Sequence, residues 1–223
     1  MKAVVLFSGG KDSTFTLHVA TMMGFDVVEL VTLVPRSGAP RLLHKPFARY
    51  TRVQGEAMGI GVRVAEVGDE DEELAILRVL RESVAETGAT HLFVGALLSD
   101  YQRIRFALIS EKLGLKIIAP LWRNDQVKYM YELVESGIEA MIVSVSAYGI
   151  PLEWLGRVID RELVDQIVER SRRFGFNPAF EGGEAETFVI NAPLFRRRVC
   201  VDFERVVLSD FEGFVKPLRV YLC

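Results

Sequence analysis

The sequence is poor in cysteine: Cys200 and Cys223 are the only two in 223 residues, and neither belongs to a C-x-x-C pair. A disulfide framework or a structural zinc site is therefore not expected, and a reducing, cytoplasmic setting fits best. Long apolar runs are missing as well. The stretch Val27 to Val34 is broken by Glu29 and falls well short of the ~20 residues a membrane helix needs, so no membrane partner is expected. Met1-Lys2 leads straight into apolar sequence rather than a cleavable leader. The three histidines, His18, His44 and His91, are too scattered for a metal site. Basic excess is absent too: a net charge of -3 gives no general attraction to nucleic acid, which is not expected as a partner. No internal repeat or low-complexity tract occurs.

What remains is an ordinary globular composition, 50% hydrophobic and 26% charged, able to bury a sizeable core in one large or two small domains. Near its start the apolar run Val4-Val5-Leu6-Phe7 breaks into Ser8-Gly9-Gly10-Lys11-Asp12-Ser13-Thr14, a strand, loop and helix in succession. Gly9 and Gly10 let the backbone approach a ligand closely. Ser13 and Thr14 place hydroxyls in the first helical turn, whose N–H groups carry partial positive charge. With the ammonium of Lys11 the loop suits a polyanion, above all the phosphates of a nucleotide. It is not a Walker loop, because Val5 stands where that motif requires its first glycine. The competing reading is an ordinary glycine turn with Asp12 as a helix cap.

Strands expected at Val27–Val34, Val62–Val67, His91–Gly95 and Lys116–Pro120 follow. Helices expected at Thr14–Gly24, Pro46–Met58, Asp69 onward to Gly88, and Asp100–Leu113 lie between them. The third carries Leu74, Leu77, Leu80 and Val84 as its apolar positions. Such alternation gives an α/β fold, a doubly wound parallel five-stranded sheet, with a smaller C-terminal α+β region. The soft boundary separates 1–120, the nucleotide-binding domain, from 121–223. In the second part helices are expected at Asp125–Ser136 and Asp160–Phe174, and strands at Glu139–Val145, Thr187–Ile190 and Arg198–Leu208.

Three further constellations carry chemistry. Tyr101-Gln102-Arg103-Ile104-Arg105 opens at the same sheet edge as the glycine loop, where the arginines could stabilise charge on a nucleotide's phosphates and Tyr101 and Gln102 could fix a substrate. A solvated helix start is the alternative. Phe180-Glu181-Gly182-Gly183-Glu184-Ala185-Glu186-Thr187 reads as a loop with three carboxylates, able to hold an amine or assist proton removal from ammonia, or else a solvated acidic turn. Arg196-Arg197-Arg198 reads as an exposed edge or a patch for an acidic surface or RNA. His44 lies after the second strand, where a base could sit, and Gly95 at the end of the fourth is grouped with the nucleotide loop.

The words Ser8-Gly9-Gly10-Lys11-Asp12-Ser13 resemble the PP-loop of ATP pyrophosphatases. Together with Tyr101-Gln102-Arg103-Ile104-Arg105, Leu113-Gly114-Leu115, Ala119-Pro120-Leu121-Trp122, Trp154-Leu155-Gly156, Glu181-Gly182-Gly183-Glu184, Glu186-Thr187 and Pro193-Leu194-Phe195, they make the chain similar to the diphthine ammonia ligase family in its short, archaeal-type form. The resemblance implies an adenine nucleotide α-hydrolase-like sheet and a family-specific C-terminal region for the substrate. It implies ATP-dependent amidation of diphthine on translation elongation factor 2 through an acyl-adenylate, with ammonia as nitrogen source and AMP and pyrophosphate released. ATP and Mg2+ would be bound by Ser8 through Ser13, with Asp12 on the metal. Lys11, Asp12, Arg103, Arg105, Glu184 and Glu186 would be catalytic, and Tyr101, Gln102, Glu181, Gly182, Gly183 and Thr187 would hold the acceptor. A homodimer is left open. Ala107, Phe180 and Ala185 depart from the family pattern, which has glutamate, glycine and an aromatic there. The alternatives are a PP-loop paralogue adenylating another acceptor such as tRNA, and a non-catalytic nucleotide sensor.

Overall fold

Ala3, Val4 and Val5 are completely buried at the centre of the first strand, as expected of a strand covered on both faces by helices. In the computed structural model, which describes residues 1–35, 47–68 and 71–223, this strand, β1 (Lys2–Leu6), begins a regular alternation. It continues with α1 (Lys11–Met22), β2 (Asp26–Pro35), α2 (Thr51–Met58), β3 (Val62–Val67), α3 (Glu72–Thr87), β4 (His91–Phe93), α4 (Asp100–Lys112) and β5 (Lys116–Ile118). The strands form one parallel sheet in the order β3-β2-β1-β4-β5. From β1 the chain first winds outward through β2 and β3, then returns to build β4 and β5 on the other side. The carboxyl ends of β1 and β4 therefore flank the topological switch point, where the loops diverge and leave a crevice.

One face of this sheet is closed by α3 and α4. Val4, Val31, Leu33 and Leu92 from the strands pack with Ile76, Val79, Leu80, Phe106 and Ile109 from the helices. The buried stripe of α3 is Ala75, Ile76, Val79, Leu80 and Ser83; of the expected positions Leu80 is in it, Leu77 and Val84 pack partly buried against the same core, and Leu74 is 59% exposed. Asp71 caps the helix through the amides of Glu73 and Leu74, and the small Ala75 on the sheet side lets α3 come close. α1 begins at Lys11, three residues before the expected start, because Gly10 is extended (φ -82°, ψ 174°) and serves as the N-cap. α2 begins later than expected: a left-handed Phe47 and a 3₁₀ turn at Ala48–Tyr50 precede it, and Pro46 lies outside the described residues.

The chain divides into two compact units, Met1–Trp122 and Arg123–Cys223. The second contains α5 (Gln126–Glu135), β6 (Glu139–Val145), α6 (Arg161–Phe174), β7 (Ala185–Asn191), β8 (Val199–Ser209) and β9 (Glu212–Leu222). Its strands form a sheet in the order β7-β6-β9-β8, with antiparallel pairings throughout. β9 was not among the expected strands, since Lys216 and Pro217 interrupt its alternation. Pro217 sits opposite Phe203 at a register shift, where the missing N–H of proline is tolerated.

The ribbon β8–β9 also overturns the expectation about cysteine. Cys200 and Cys223 form a disulfide with a Cα–Cα distance of 6.0 Å. Cys200 pairs with Tyr221 in the register, and Cys223 is two residues further on, so both side chains lie on one face as a diagonal pair. Of the three arginines before β8, Arg198 is 2.6 Å from Glu139 and Arg197 donates to the carbonyl of Leu222. Arg198 is the main cause holding the Glu139 carboxyl below its ordinary range, with Asn191 assisting. Among the described residues no helix is long and apolar enough to cross a membrane.

His91 opens β4 almost fully buried, its ring edge-on to Phe25 at 4.8 Å. Burial, and then the charges of Lys116 and the amino terminus, depress its pKa. The unfolded chain takes up a proton near pH ~6.5, whereas the folded one does so only lower, so stability present above that pH is lost as the pH falls through it. Urea unfolding at pH 7.5 and 5.5 should show a smaller acid-induced loss in His91→Phe than in the wild type.

Candidate active site

Between the end of β1 at Leu6 and the start of α1 at Lys11 the chain turns within four residues. Gly9 makes the turn in the left-handed region at φ +80°, and a side chain there would collide with Gln54 Oε1. Gly10 then offers no capping side chain to α1, whereas α3, α4, α5 and α6 are capped by Asp71, Ser99, Asp125 and Asp160. A helix start built this way presents amides and the positive end of the helix dipole toward a ligand.

The hydroxyls gather at the same turn. Ser8 Oγ and Ser13 Oγ are 3.2 Å apart, Ser8 N–H donates to Ser13 Oγ at 3.2 Å, and Ser13 Oγ reaches the carbonyl of Gly10 at 3.1 Å. Lys11 is only 3% exposed, and its ammonium lies 2.9 Å from the Asp12 carboxylate, whose side chain is 28% exposed. Gly95, two residues beyond β4, backs onto this turn. A Cβ there would stand 3.0 Å from the backbone carbon of Asp12 and 3.1 Å from the amide nitrogen of Ser13. Its role is thus close approach, which brings the exits of β1 and β4 together at the switch point.

The first turns of α4 hold the next group. Ser99 caps the helix by accepting from the Gln102 amide at 3.2 Å. Arg105 is 2.9 Å from Glu73 and its guanidinium lies over the Tyr101 ring at 5.2 Å. Arg103 stacks on Trp122 at 4.9 Å, with Asp100 3.7 Å away. Both guanidiniums are therefore held by neighbours, on side chains about two-fifths exposed (43% for Arg103 and 41% for Arg105).

In the second unit the acidic segment is half turn and half strand: Ala185, Glu186 and Thr187 already belong to β7, so the expected single loop ends at Glu184. Glu184 accepts from the amides of Asn177 at 2.9 Å and Gly182 at 2.8 Å. Its carboxylate thus closes its own turn. Phe180, standing where the family pattern has glycine, is left-handed at φ 61°, buried, and stacked on Phe176 at 6.3 Å. Ring burial holds a backbone conformation that glycine adopts without cost.

The structure brings Ser8, Gly9, Gly10, Lys11, Asp12, Ser13 and Gly95 into one turn, and Tyr101, Gln102, Arg103 and Arg105 onto one helix start. Glu181, Gly182, Gly183, Glu184, Glu186 and Thr187 belong to the other unit, and His44 lies outside the described residues. Two polar residues that motif reading missed also touch the loop: Thr32 and Gln54, 1% and 0% exposed. Their signal in the sequence is only that each is a polar residue inside an otherwise apolar stretch of strand or helix.

Residues 1–117 match the family model of the diphthamide synthase N-terminal domain, and residues 125–220 that of the diphthamide synthase C-terminal domain. The chain belongs to the diphthamide synthase family. It is 31% identical to the diphthine-ammonia ligase of Homo sapiens over 238 residues, 96% of this chain and 88% of that one. The Danio rerio protein of the same name is also 31% identical, over 96% of this chain and 91% of that one. The Schizosaccharomyces pombe protein is 29% identical over the whole of this chain, which spans 39% of that longer one. Among solved structures, a predicted subunit of tRNA methyltransferase from Methanocaldococcus jannaschii aligns over 86% of this chain and 98% of that one, with 15% identity and a TM-score of 0.46.

Because Gly95 has backbone of the glycine loop against it, Gly95→Ala should displace the start of α1 by a few tenths of an ångström. Titration with magnesium-ATP should then show affinity lowered by about tenfold, the equivalent of one net hydrogen bond, with the melting temperature within a few degrees of the wild type.

Proposed function

We propose that this protein is the ATP-dependent ligase that amidates diphthine on translation elongation factor 2, forming diphthamide with ammonia as nitrogen source. The observation that carries this reading is that both diphthamide synthase domains match in order across the chain, while the uncapped helix start with its serine pair lies at the switch point of the first unit. A diphthine carboxylate resists ammonia because its leaving group would be oxide. Attack of a carboxylate oxygen on the α-phosphorus of ATP releases pyrophosphate and gives an acyl-adenylate. Ammonia then attacks the acyl carbon, a proton is lost, and AMP leaves.

Each part of the chain has a place in that sequence. Ser8 through Ser13 hold the triphosphate with hydroxyls, helix-start amides and the Lys11 ammonium, positioning it for in-line attack. Magnesium would be held by one or two carboxylates and the phosphate oxygens themselves, and the partly exposed Asp12 fits that role. Among the described residues no group of three His, Cys, Asp or Glu forms an all-protein metal cage. Arg103 and Arg105 offset charge on the departing pyrophosphate, and Tyr101 and Gln102 line the approach of the acceptor. In the C-terminal unit Glu181, Gly182, Gly183 and Thr187 receive the acceptor. Glu186 takes the proton from the attacking ammonia, and Glu184, with an N–H on each oxygen, holds the turn in shape. Phe180 and Ala185 reshape this acceptor region relative to the family pattern.

The test is incubation with ATP, ammonium and elongation factor carrying diphthine, with mass spectrometry of the factor and assay of AMP. Amide formed in step with AMP is expected, and Lys11→Ala should lower kcat/KM by about 100-fold, the scale of removing one charge-stabilising group. AMP released without amide on the factor would overturn the assigned acceptor; ATP bound with no AMP under any condition would overturn the ligase reading altogether.

A further inference from the structure

Two peptide units of the glycine loop are gripped from both ends. In the Phe7–Ser8 unit the carbonyl accepts from Thr32 Oγ1 at 2.6 Å, and the amide of Ser8 donates to Ser13 Oγ at 3.2 Å. In the Gly9–Gly10 unit the carbonyl accepts from Gln54 Nε2 at 2.9 Å, and the amide of Gly10 donates to Ser8 Oγ at 3.4 Å. The C=O and N–H of a trans peptide point in opposite directions. A side chain that holds the carbonyl therefore also sets where the amide points.

The consequence falls on the two serines. Each hydroxyl has one proton to donate and lone pairs to accept, and here an amide fills an accepting position on each from behind. Ser13 Oγ in turn donates to the carbonyl of Gly10 at 3.1 Å and lies 3.2 Å from Ser8 Oγ, so both hydroxyls are fixed in place at the loop. Thr32 lies on β2 and Gln54 on α2, both buried, so neither can reach a ligand directly. Their hydrogen bonds cross 25 and 45 residues of sequence, tying the loop to two separate elements of the first unit. A loop whose peptides cannot flip has its donors in place before the ligand arrives, which removes reorganisation from the binding step.

We propose that Thr32 and Gln54 are positioning residues for the nucleotide, acting through the Phe7–Ser8 and Gly9–Gly10 peptides on Ser13 and Ser8; this rests on the reading of the loop as an ATP site. Thr32→Val keeps the shape of the side chain and removes the donor, Thr32→Ser restores it, and Gln54→Met removes the amide at similar length. Calorimetric titration of the full chain with magnesium-ATP should show affinity lowered by about tenfold in Thr32→Val and in Gln54→Met, with Thr32→Ser close to wild type. In turnover, KM for ATP should rise in the two donor-less variants while KM for ammonium stays unchanged.

Wild-type affinity in both donor-less variants, with Ser13→Ala still weakened, would overturn the positioning role and leave the ATP site standing. Equal weakening in Thr32→Val and Thr32→Ser would also overturn it for Thr32, since the hydroxyl would then not be the cause. Absence of ATP binding by the wild type would overturn the site reading and this inference together. Should Gln54→Met fail to show a cooperative melt, the comparison of Thr32→Val with Thr32→Ser decides.

Discussion

A glycine loop at the edge of a parallel sheet has to satisfy its own backbone while leaving donors for a ligand. Buried carbonyls without partners are costly, and in this protein those of Phe7, Gly9 and Gly10 are met by Thr32, Gln54, and Ser13 with the Thr14 amide. That arrangement explains several features at once. Gly9 must be left-handed and lack a Cβ because Gln54 occupies the space where a side chain would stand. α1 starts from Gly10 as its N-cap, which leaves its first-turn amides without a capping side chain, as the proposed nucleotide site requires.

The sheet order places this loop usefully. With β1 and β4 adjacent at the centre and the connections leaving in opposite directions, the crevice between their carboxyl ends opens where the serines and Lys11 lie. Gly95 allows the β4 exit to touch the backbone of Asp12 and Ser13. The α3 and α4 core, from Val4 and Leu92 to Ile76 and Phe106, packs against the strands from which the loop leaves. The second unit has its own means of shape control: a disulfide at the open end of the β8–β9 ribbon, the Arg198–Glu139 pair, and Glu184 folded back on the turn that precedes β7.

Much of this was legible in the chain. The motif from Ser8 to Ser13 announced a strand, loop and helix with an anion-binding character, and the alternation of apolar runs with amphipathic stretches announced the parallel sheet. Less legible were choices that depend on partners far away in sequence. Leu74 looked like a core residue of α3, yet Ala75 and Ile76 face the sheet, because close approach favours the small residue. β9 was hidden by Pro217 until its register with β8 placed that proline at an irregularity. Nothing in the motif around Arg105 pointed to Glu73, which stands 2.9 Å from it on a neighbouring helix.

By itself the sequence determined the local items: most of the segments that become strands or helices, where glycine is needed for a turn, and the succession of motifs that marks the family. These follow from short-range sterics and hydrophobic periodicity, which a linear string carries in full. Only the tertiary structure decided that Thr32 and Gln54 grip the loop, that Cys200 meets Cys223, and that Arg198 pairs with Glu139. Each of those depends on which elements become neighbours, and hydrogen bonds and disulfides act over a few ångströms of space whatever the distance along the chain.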